Sequence, residues 1–467
     1  MRQIIFLLLF VATGATAQPL RLDMKLFAER RGAFMSKIES NSAAVFPCKP
    51  EYVRNGDVEY QYRQESNLYY LSGFQEPEAI MILNPSGKPH KYILFVRKKD
   101  PLKETWAGLR AGVEGAVTTF EADTALAFED FKTSIRKFVP KEGVLYYQFG
   151  INPDVDGIMR ELFLESRWGS AAAIKNPRPI LSEMRLIKND ADMKMGLKKA
   201  VDISAEAHLE AIKSIHPGMY EYEIQSVFES VYRKNGSPRN GYPCIVGSGP
   251  NSCILHYDEN MREMKDGEVL LMDCAAEYGY YSADITRTVP VNGKFTNEQK
   301  EIYRIVLDAQ NAAMRLVKPG VIMKTLSDVI DSLLGTGLVR LGFIKDKKDH
   351  GVFTLHGYSH WIGLEVHDVG SYTVNGTSRP LEAGMCFTIE PGIYIRPDAI
   401  ENLKKKGYSE QELEKIRARI ALYRYIGVRI EDDVLVTEQG FINMSEAVPR
   451  EIDQIELLMK QRLTKSN

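Results

Sequence analysis

The sequence predicts an α/β (α+β) protein in two parts: an N-terminal α/β domain, then a C-terminal domain with an internal pseudo-twofold repeat of a helix–helix–sheet unit. Three observations carry this. The chain has 467 residues, more than one hydrophobic core ordinarily serves. The stretch Lys175-Asn176-Pro177-Arg178-Pro179 opposes helix through its closely spaced prolines and reads as an extended linker. A helix, an x-Pro-Gly turn and a second helix occur twice, around Pro217-Gly218 and Pro319-Gly320, each time followed by strand-like segments. Such recurrence marks a duplicated unit. The expected division is 1–17, 18–178 and 179–467.

The first residues read as a leader. "MRQIIFLLLFVATGATAQ" has Arg2, an apolar run from Ile4 to Val11 and small residues ending Ala15-Thr16-Ala17, the pattern of a secretory signal peptide cleaved after Ala17. The run is too short for a stable anchor, and no later segment approaches the uninterrupted apolar length of a membrane span. The mature protein is expected to be exported, periplasmic or secreted, and soluble. In the N-terminal domain, "HKYILFVRKK" and "EGVLYYQFG" read as strands by their β-branched and aromatic content, and "EADTALAFEDFKTSIRKFV" as an amphipathic helix. The second domain opens with a long helix that Asn189 can cap, with Leu197, Val201, Ala205, Leu209 and Ile212 at helical spacing. Thr296 and Gln299 form the capping-box pattern for another.

Composition excludes some classes. Hydrophobic residues are 44% and charged residues 26%, with a formal net charge of -2, so there is neither a basic footprint for nucleic acid nor a polybasic membrane patch. The five cysteines, Cys48, Cys244, Cys253, Cys274 and Cys386, are scattered without a C-x-x-C. One bridge, Cys244–Cys253, and buried free thiols are both open readings.

The chemistry-bearing residues stand out against strand patterning. "HGYSHWIGLEVHDVG" holds His356, His360 and His367, in a chain with 8 histidines. "EVLLMDCAAEYGYYSADITRTVPV" is an apolar run ending in Asp273, with Asp284 after a turn region; a hairpin would bring both carboxylates to one face. Glu390 ends the apolar strand "MCFTIE". In "YIGVRIEDDVLVT" strand period two puts Arg429 and Glu431 on one face and Val428 and Ile430 on the other. Carboxylates in apolar strands are costly unless paired or bound to metal. Several of them with a histidine suit an oxygen-rich site for Mn²⁺, Co²⁺ or Zn²⁺, and exceed what one divalent ion needs. Surface or salt-bridged acids are the competing account, and the one adopted for Asp432 and Asp433. His356-x3-His360 has helical zinc spacing, but no Glu follows His356, so the H-E-x-x-H reading fails. The residues alone leave a dinuclear site and salt-bridged acids both open.

Resemblance goes further. "ILHYDEN", "LLMDCAAEYGYYSADITRTVPVNGKF", "LHGYSHWIGLEVHDVG", "FTIEPGIYI" and "GVRIEDDVLVTEQG" resemble the successive motifs of aminopeptidase P (Xaa-Pro aminopeptidase). That family belongs to the pita-bread metallopeptidases, with prolidase and methionine aminopeptidase. "YQYRQESNLYYLSGFQEPEAIMIL" resembles its N-terminal domain, and the likeness runs from about residue 25 to 460. The resemblance implies a pita-bread catalytic domain with two divalent ions, usually manganese, held by Asp273, Asp284, His360, Glu390 and Glu431. Asp284 and Glu431 would bridge, Asp273 would bind one ion, and His360 with Glu390 the other. It implies hydrolysis of the bond between any N-terminal residue and a following proline, by a hydroxide bridging the two metals. Glu390 would shuttle a proton. His256 and His367 would hydrogen-bond the substrate and the tetrahedral intermediate, His356 would line the substrate pocket, and Arg429 would orient the carboxylates. For His356 and Trp361 structural packing remains an equal alternative. Expected partners are peptides with proline at position two, with no nucleic acid, no membrane after leader removal, and a homodimer or homotetramer as assembly. Prolidase, restricted to Xaa-Pro dipeptides, shares all five ligands. A non-catalytic binding protein on this scaffold would hold no metal. The sequence departs from compact relatives in "AIENLKKKGYSEQELEKIRARIA", which reads as an exposed helix or surface flap, and in Asn67, where many relatives would have an acid.

Overall fold

A computed structural model describes residues 23–164 and 171–461. The leader expected at 1–17 lies outside the described residues. Among the described helices none is long and apolar enough to cross a membrane.

The N-terminal part is a six-stranded mixed sheet in the order Thr124–Ala127, Tyr92–Val96, Ile80–Leu83, Ser42–Pro47, Val144–Tyr147, Ala173–Lys175. Alternation along the strands divides its side chains between two faces. Ala43, Val45, Ile80, Ile82, Ile93, Phe95, Leu145 and Tyr147 pack on Phe131, Val155 and Met159. Ala44, Phe46, Met81, Leu83 and Leu94 pack on Phe27, Phe34, Leu68 and Leu71. That second cluster continues into the C-terminal part through Leu197, Val201, Tyr281, Ile285 and Ile362. Polar ties cross the same boundary: Arg63 lies 2.6 Å from Glu277 and donates to the Leu364 carbonyl at 2.6 Å, and Arg239 donates to the Tyr62 carbonyl at 3.1 Å.

Local readings fail where tertiary pairing overrides pattern. "EADTALAFEDFKTSIRKFV" does not form one amphipathic helix. Thr124–Ala127 is a strand, parallel to Tyr92–Val96, and only short helical turns follow it. A sheet edge offering backbone partners outweighs weak helical periodicity. The expected linker is not extended either. Helix Arg178–Leu186 starts there, with proline in its first turn, where a missing N–H costs nothing. Asn189 does cap, through a capping box with Asp192. A π-turn, Met193–Leu197, then intervenes before helix Lys198–Ser214. That helix buries more than the expected stripe: Ile203, Ser204, Ala207, His208 and Ala211 are buried as well, while Leu209 is only half-buried.

The C-terminal part repeats. Helices Lys198–Ser214 and Glu221–Lys234 precede antiparallel strands Ile245–Ser248, Val269–Asp273 and Thr286–Pro290. Helices Asn297–Met314, capped by the Thr296/Gln299 box, and Met323–Arg340 precede Cys386–Ile389, Gly392–Tyr394, Gly427–Arg429 and Asp432–Val436. The helices bury their apolar faces on these strands in one core. Residues 399–421 are no exposed flap: Ala399–Lys405 and Glu410–Tyr423 bury Ile400, Leu403, Leu413, Ile416 and Ile420. The five cysteines are buried and free, so Cys244–Cys253 is not a bridge. Asp432 and Asp433 are not surface residues; both are fully buried.

Arg287 joins the halves. It is fully buried, donates to Asp432 Oδ1 at 2.7 Å, to the Glu431 carbonyl at 2.6 Å and to the Val448 carbonyl at 2.9 Å. Breaking a buried pair by deleting one partner leaves an uncompensated charge. Arg287→Ala is therefore expected to cost about 3 kcal/mol or more of unfolding free energy, with Arg287→Lys recovering only part because it lacks the planar fork. Urea denaturation reads this directly, and unchanged midpoints would show that the pair does not hold the halves together.

Candidate metal centre and substrate cleft

The two half-repeats meet at a cavity of about 540 Å³, lined by Tyr242, Ile245, Leu255, His256, Asp273, Asp284, His356, His360, Val366, His367, Glu390, Arg429 and Glu431. Every residue singled out in the sequence for metal, substrate or catalysis lies on this wall.

Strand register places the acids. Asp273 ends its strand opposite Thr286, and Asp284 lies two residues before Thr286, on the same side. Glu390 follows the strand Cys386–Ile389, and Glu431 falls between Gly427–Arg429 and Asp432–Val436. Val428 and Ile430 point into the core. The halves are pinned where the acids converge, by Glu431 N–H donating to the Thr286 carbonyl at 3.1 Å.

Ligand atoms of Asp284, His360 and Glu431 all lie within 4.8 Å of one another. His360 Nε2 is 3.3 Å from Asp284 Oδ2 and 3.5 Å from Glu390 Oε1. Its Nδ1 lies 3.2 Å from the Trp361 carbonyl. A carbonyl accepts only, so Nδ1 carries the proton and Nε2 presents its lone pair to the acids, as a metal-binding histidine requires. Asp273 is tied in by Arg429 Nη2 at 2.5 Å. Tyr242 places its hydroxyl 2.5 Å from Asp273 Oδ1 and 2.6 Å from Asp284 Oδ1.

Burial and crowding shift these groups. Glu390 is pushed up to about 8 by burial and the neighbouring Glu431. Burial, then Asp273 and Glu390, raises Asp284; burial, then Asp284 and Asp273, raises Glu431. Burial first, and then one another's charge, disfavour the ionised form of these acids, and a bound divalent cation would favour it. The donor set, carboxylate oxygens with one imidazole, fits a hard or borderline divalent ion.

The histidines take different places. His256 is exposed at the cavity mouth. His367 stands edge-on to His360, with ring centroids 4.2 Å apart, and its pKa is lowered by burial and by His360 and His256. Its turn is fixed by Asp368, which accepts from Arg185 at 2.5 Å and from Lys188 at 3.0 Å. A Cβ on Gly363 would meet Asp368 Oδ2 at 2.0 Å, so only glycine allows this approach. His356 receives the Tyr394 hydroxyl at 2.7 Å, Tyr394 receives Arg429 Nη1 at 2.8 Å, and a hydrogen-bonded chain thus runs from His356 to Asp273.

Sequence reasoning missed Tyr242, Thr286, Thr388 and Tyr394. Thr286 donates to Glu431 at 2.6 Å and Thr388 to Glu390 at 3.3 Å. Period two was the available signal for three of them, since each lies two or four residues from a strand acid. Tyr242, in the loop before Pro243, carried none.

The chain matches known proteins along its length. The description "Metallopeptidase family M24" matches residues 195–438, and "Aminopeptidase P, N-terminal domain" matches 27–146. An Escherichia coli protein called Xaa-Pro aminopeptidase is 39% identical over 447 residues, covering 93% of this chain and 97% of its own length. Human Xaa-Pro dipeptidase is 31% identical, covering 95% of this chain and 94% of its own. The solved structure of Pseudomonas aeruginosa aminopeptidase PepP superposes with a TM-score of 0.87 at 38% identity, covering 96% of this chain and 100% of that one.

The raised acids make metal-free stability pH-dependent. Glu390 holds its proton up to about pH 8 when folded, against 4.5 ordinarily. The folded chain thus binds more protons across that window and loses stability as pH rises through it. His356, lowered to about 4 from 6.5, and His208 and His367, also lowered, act oppositely, but that effect fades as pH rises above 6.5. From pH 6.5 toward 8 the carboxyl effect comes to dominate. The Tm of chelator-treated protein is expected to fall across that interval, and a divalent ion to remove the fall because its ligands bind deprotonated. Calorimetry showing a flat or rising metal-free Tm there would reject this account.

Proposed function

The chain belongs to metallopeptidase family M24, and from that premise we propose that it is a metal-dependent Xaa-Pro aminopeptidase, releasing the N-terminal residue of peptides with proline in second place. The observation that carries the reading is the convergence of Asp284, His360 and Glu431 within 4.8 Å at the floor of a substrate-sized cavity, in a chain 39% identical to a protein of that name.

Asp273, Asp284, His360, Glu390 and Glu431 would hold the metal. Two ions are the count that balances four carboxylates, and manganese suits a donor set this rich in oxygen. When bound, divalent metal supplies Lewis acidity and lowers the pKa of water enough to give a nucleophile near neutral pH. The chain's own residues do the rest. Glu390, 3.5 Å from His360 Nε2, would accept the proton of the attacking water as a carboxylate and return it to the departing proline nitrogen. His256, exposed at the mouth, and His367, beside His360, would hydrogen-bond the peptide carbonyl and its developing charge. Arg429 holds Asp273 and limits repulsion among the carboxylates. Ile245, Leu255 and Val366 give the cleft apolar wall, matched to a proline ring whose nitrogen has no N–H to offer.

The leader pattern supports export to a periplasmic or secreted location. Assembly as a homodimer or homotetramer rests on resemblance to the family alone. Prolidase activity is the second reading, favoured by the likeness to human Xaa-Pro dipeptidase.

Metal-loaded protein is expected to release arginine from Arg-Pro-Pro; cleavage of Gly-Pro without Arg-Pro-Pro would establish the dipeptidase instead. Elemental analysis should find two metal ions per chain. Asp284→Asn is expected to lower metal affinity and kcat/KM by about a hundredfold or more, beyond what loss of an outer partner costs, and wild-type activity in that variant would overturn the site.

A further inference from the structure

Two fully buried side chains outside the cleft show a common geometry. His208, on helix Lys198–Ser214, has Nε2 3.1 Å from the Cys274 carbonyl and 3.0 Å from the Ile285 carbonyl. Cys274 follows Asp273, and Ile285 follows Asp284. Gln310, on helix Asn297–Met314, has Nε2 3.0 Å from both the Ile389 and the Ile430 carbonyls. Ile389 precedes Glu390, and Ile430 precedes Glu431. Both residues are fully buried, and each sits on the first helix of its half-repeat.

We propose that His208 and Gln310 are pseudo-twofold-related positioning residues, each using side-chain N–H to clamp the two backbone carbonyls beside its half's pair of metal-binding carboxylates. This rests on the metallopeptidase reading of the cleft.

The chemistry of each donor is determined. Both contacts of His208 Nε2 are carbonyl oxygens, so Nε2 must carry the proton. Its Nδ1 finds no partner among the described residues, and the ring lies edge-on to Phe228, with centroids 4.8 Å apart. Burial, aided by Arg287, lowers its pKa to about 3, which keeps the ring neutral. Gln310 is oriented by Arg450, whose Nη1 donates to its Oε1 at 2.9 Å. That leaves the amide N–H groups for the carbonyls and for Asp432 Oδ2 at 3.0 Å.

Neither contact is a sheet bond. Asp284 lies before its strand, and Glu390 and Glu431 lie outside theirs; there the paired segments are joined by longer backbone bonds, Cys274 N–H to the Ile285 carbonyl at 3.2 Å and Ile430 N–H to the Pro391 carbonyl at 3.4 Å. Metal sites tolerate displacements of only about 0.2 Å in ligand distance. A donor shared by the carbonyls of two ligand-bearing segments adds a second restraint on their separation where the regular strands end. Ser204, one turn before His208, extends the attachment by accepting Ala276 N–H at 2.9 Å.

The test is calorimetric titration of Mn²⁺ into the full-length protein and its variants, beside thermal unfolding of the metal-free forms. His208→Leu and Gln310→Met remove the donor; His208→Gln and Gln310→His retain one. Affinity is expected to fall about tenfold or more without the donor, the size of an outer-partner effect, and to stay within about threefold where a donor remains. A purely structural role would lower Tm and leave affinity unchanged in donor-less variants that fold, and that result overturns the proposal. If a donor-less variant does not fold, the donor-retaining pair decides: a tenfold loss there, about what outer partners cost, also overturns it. Wild-type protein that binds none of Mn²⁺, Co²⁺ and Zn²⁺ sinks the metal-dependent reading of the cleft itself, and is told apart because no variant is needed to see it.

Discussion

Four carboxylates brought to one point out of water is the constraint on which the rest of the catalytic half depends. Asp273 ends one strand, Asp284, Glu390 and Glu431 stand beside others, the four come from both half-repeats, and all line one cavity. Their mutual repulsion in a low-dielectric site would push the halves apart. The surroundings answer it in kind: Arg429 lies against Asp273, hydroxyls of Tyr242, Thr286 and Thr388 donate to the acids, and His360 turns its free nitrogen inward. These partners reduce the cost without cancelling it, since the acids remain raised. A divalent cation would offset the remaining cost.

The half-repeats share the task. The first supplies Asp273 and Asp284 from a hairpin-like pair of strands, the second Glu390 and Glu431 from another together with His360, from the loop that precedes Cys386–Ile389. Neither half holds a complete donor set, so the interface between them is the site. Arg287 serves both ends of that arrangement: it lies on the strand just beyond Asp284 and donates to the carbonyl of Glu431. The N-terminal domain reaches the same region by a longer route. Asn67 accepts from Arg185, Arg185 donates to Asp368, and Asp368 neighbours His367. The position where many relatives would have an acid is therefore filled by a neutral acceptor for a buried guanidinium.

Much of this was legible in the sequence because the pleat is a strict rule. An acid inside an apolar strand must have a reason, and period two told which acids share a face, so Arg429 with Glu431 could be read without coordinates. Capping at Thr296 and Asn189 was legible because a cap depends on neighbours three residues apart. What could not be read depended on distant partners. Thr124–Ala127 is a strand because Tyr92–Val96 offers it an edge. Pro177 and Pro179 begin a helix rather than prevent one, since the first turn needs no N–H. Tyr242 belongs to the site through a loop whose path no local pattern encodes.

The run Glu431-Asp432-Asp433 shows how far the pleat decides chemistry. Three consecutive acids differ by no composition rule, and all three are buried. Glu431 shares its side with Arg429 and faces the cavity. Asp432, on the opposite side, faces the helices, where Arg287, Arg450 and Gln310 neutralise and bind it. Asp433 returns to the first side one strand repeat further on, about 7 Å along the chain, beyond the cavity wall. There it meets only the Asp284 N–H, at 3.0 Å, and its other oxygen has no partner among the described residues. Burial and the nearby Asp284 raise its pKa well above the usual range. A protonated Asp433 costs less than a third anion in that place, and it still accepts the backbone hydrogen bond that holds Asp284. One acid faces the cavity, one completes an ion pair and one sits behind Asp284: the three places follow from the direction each side chain leaves the strand.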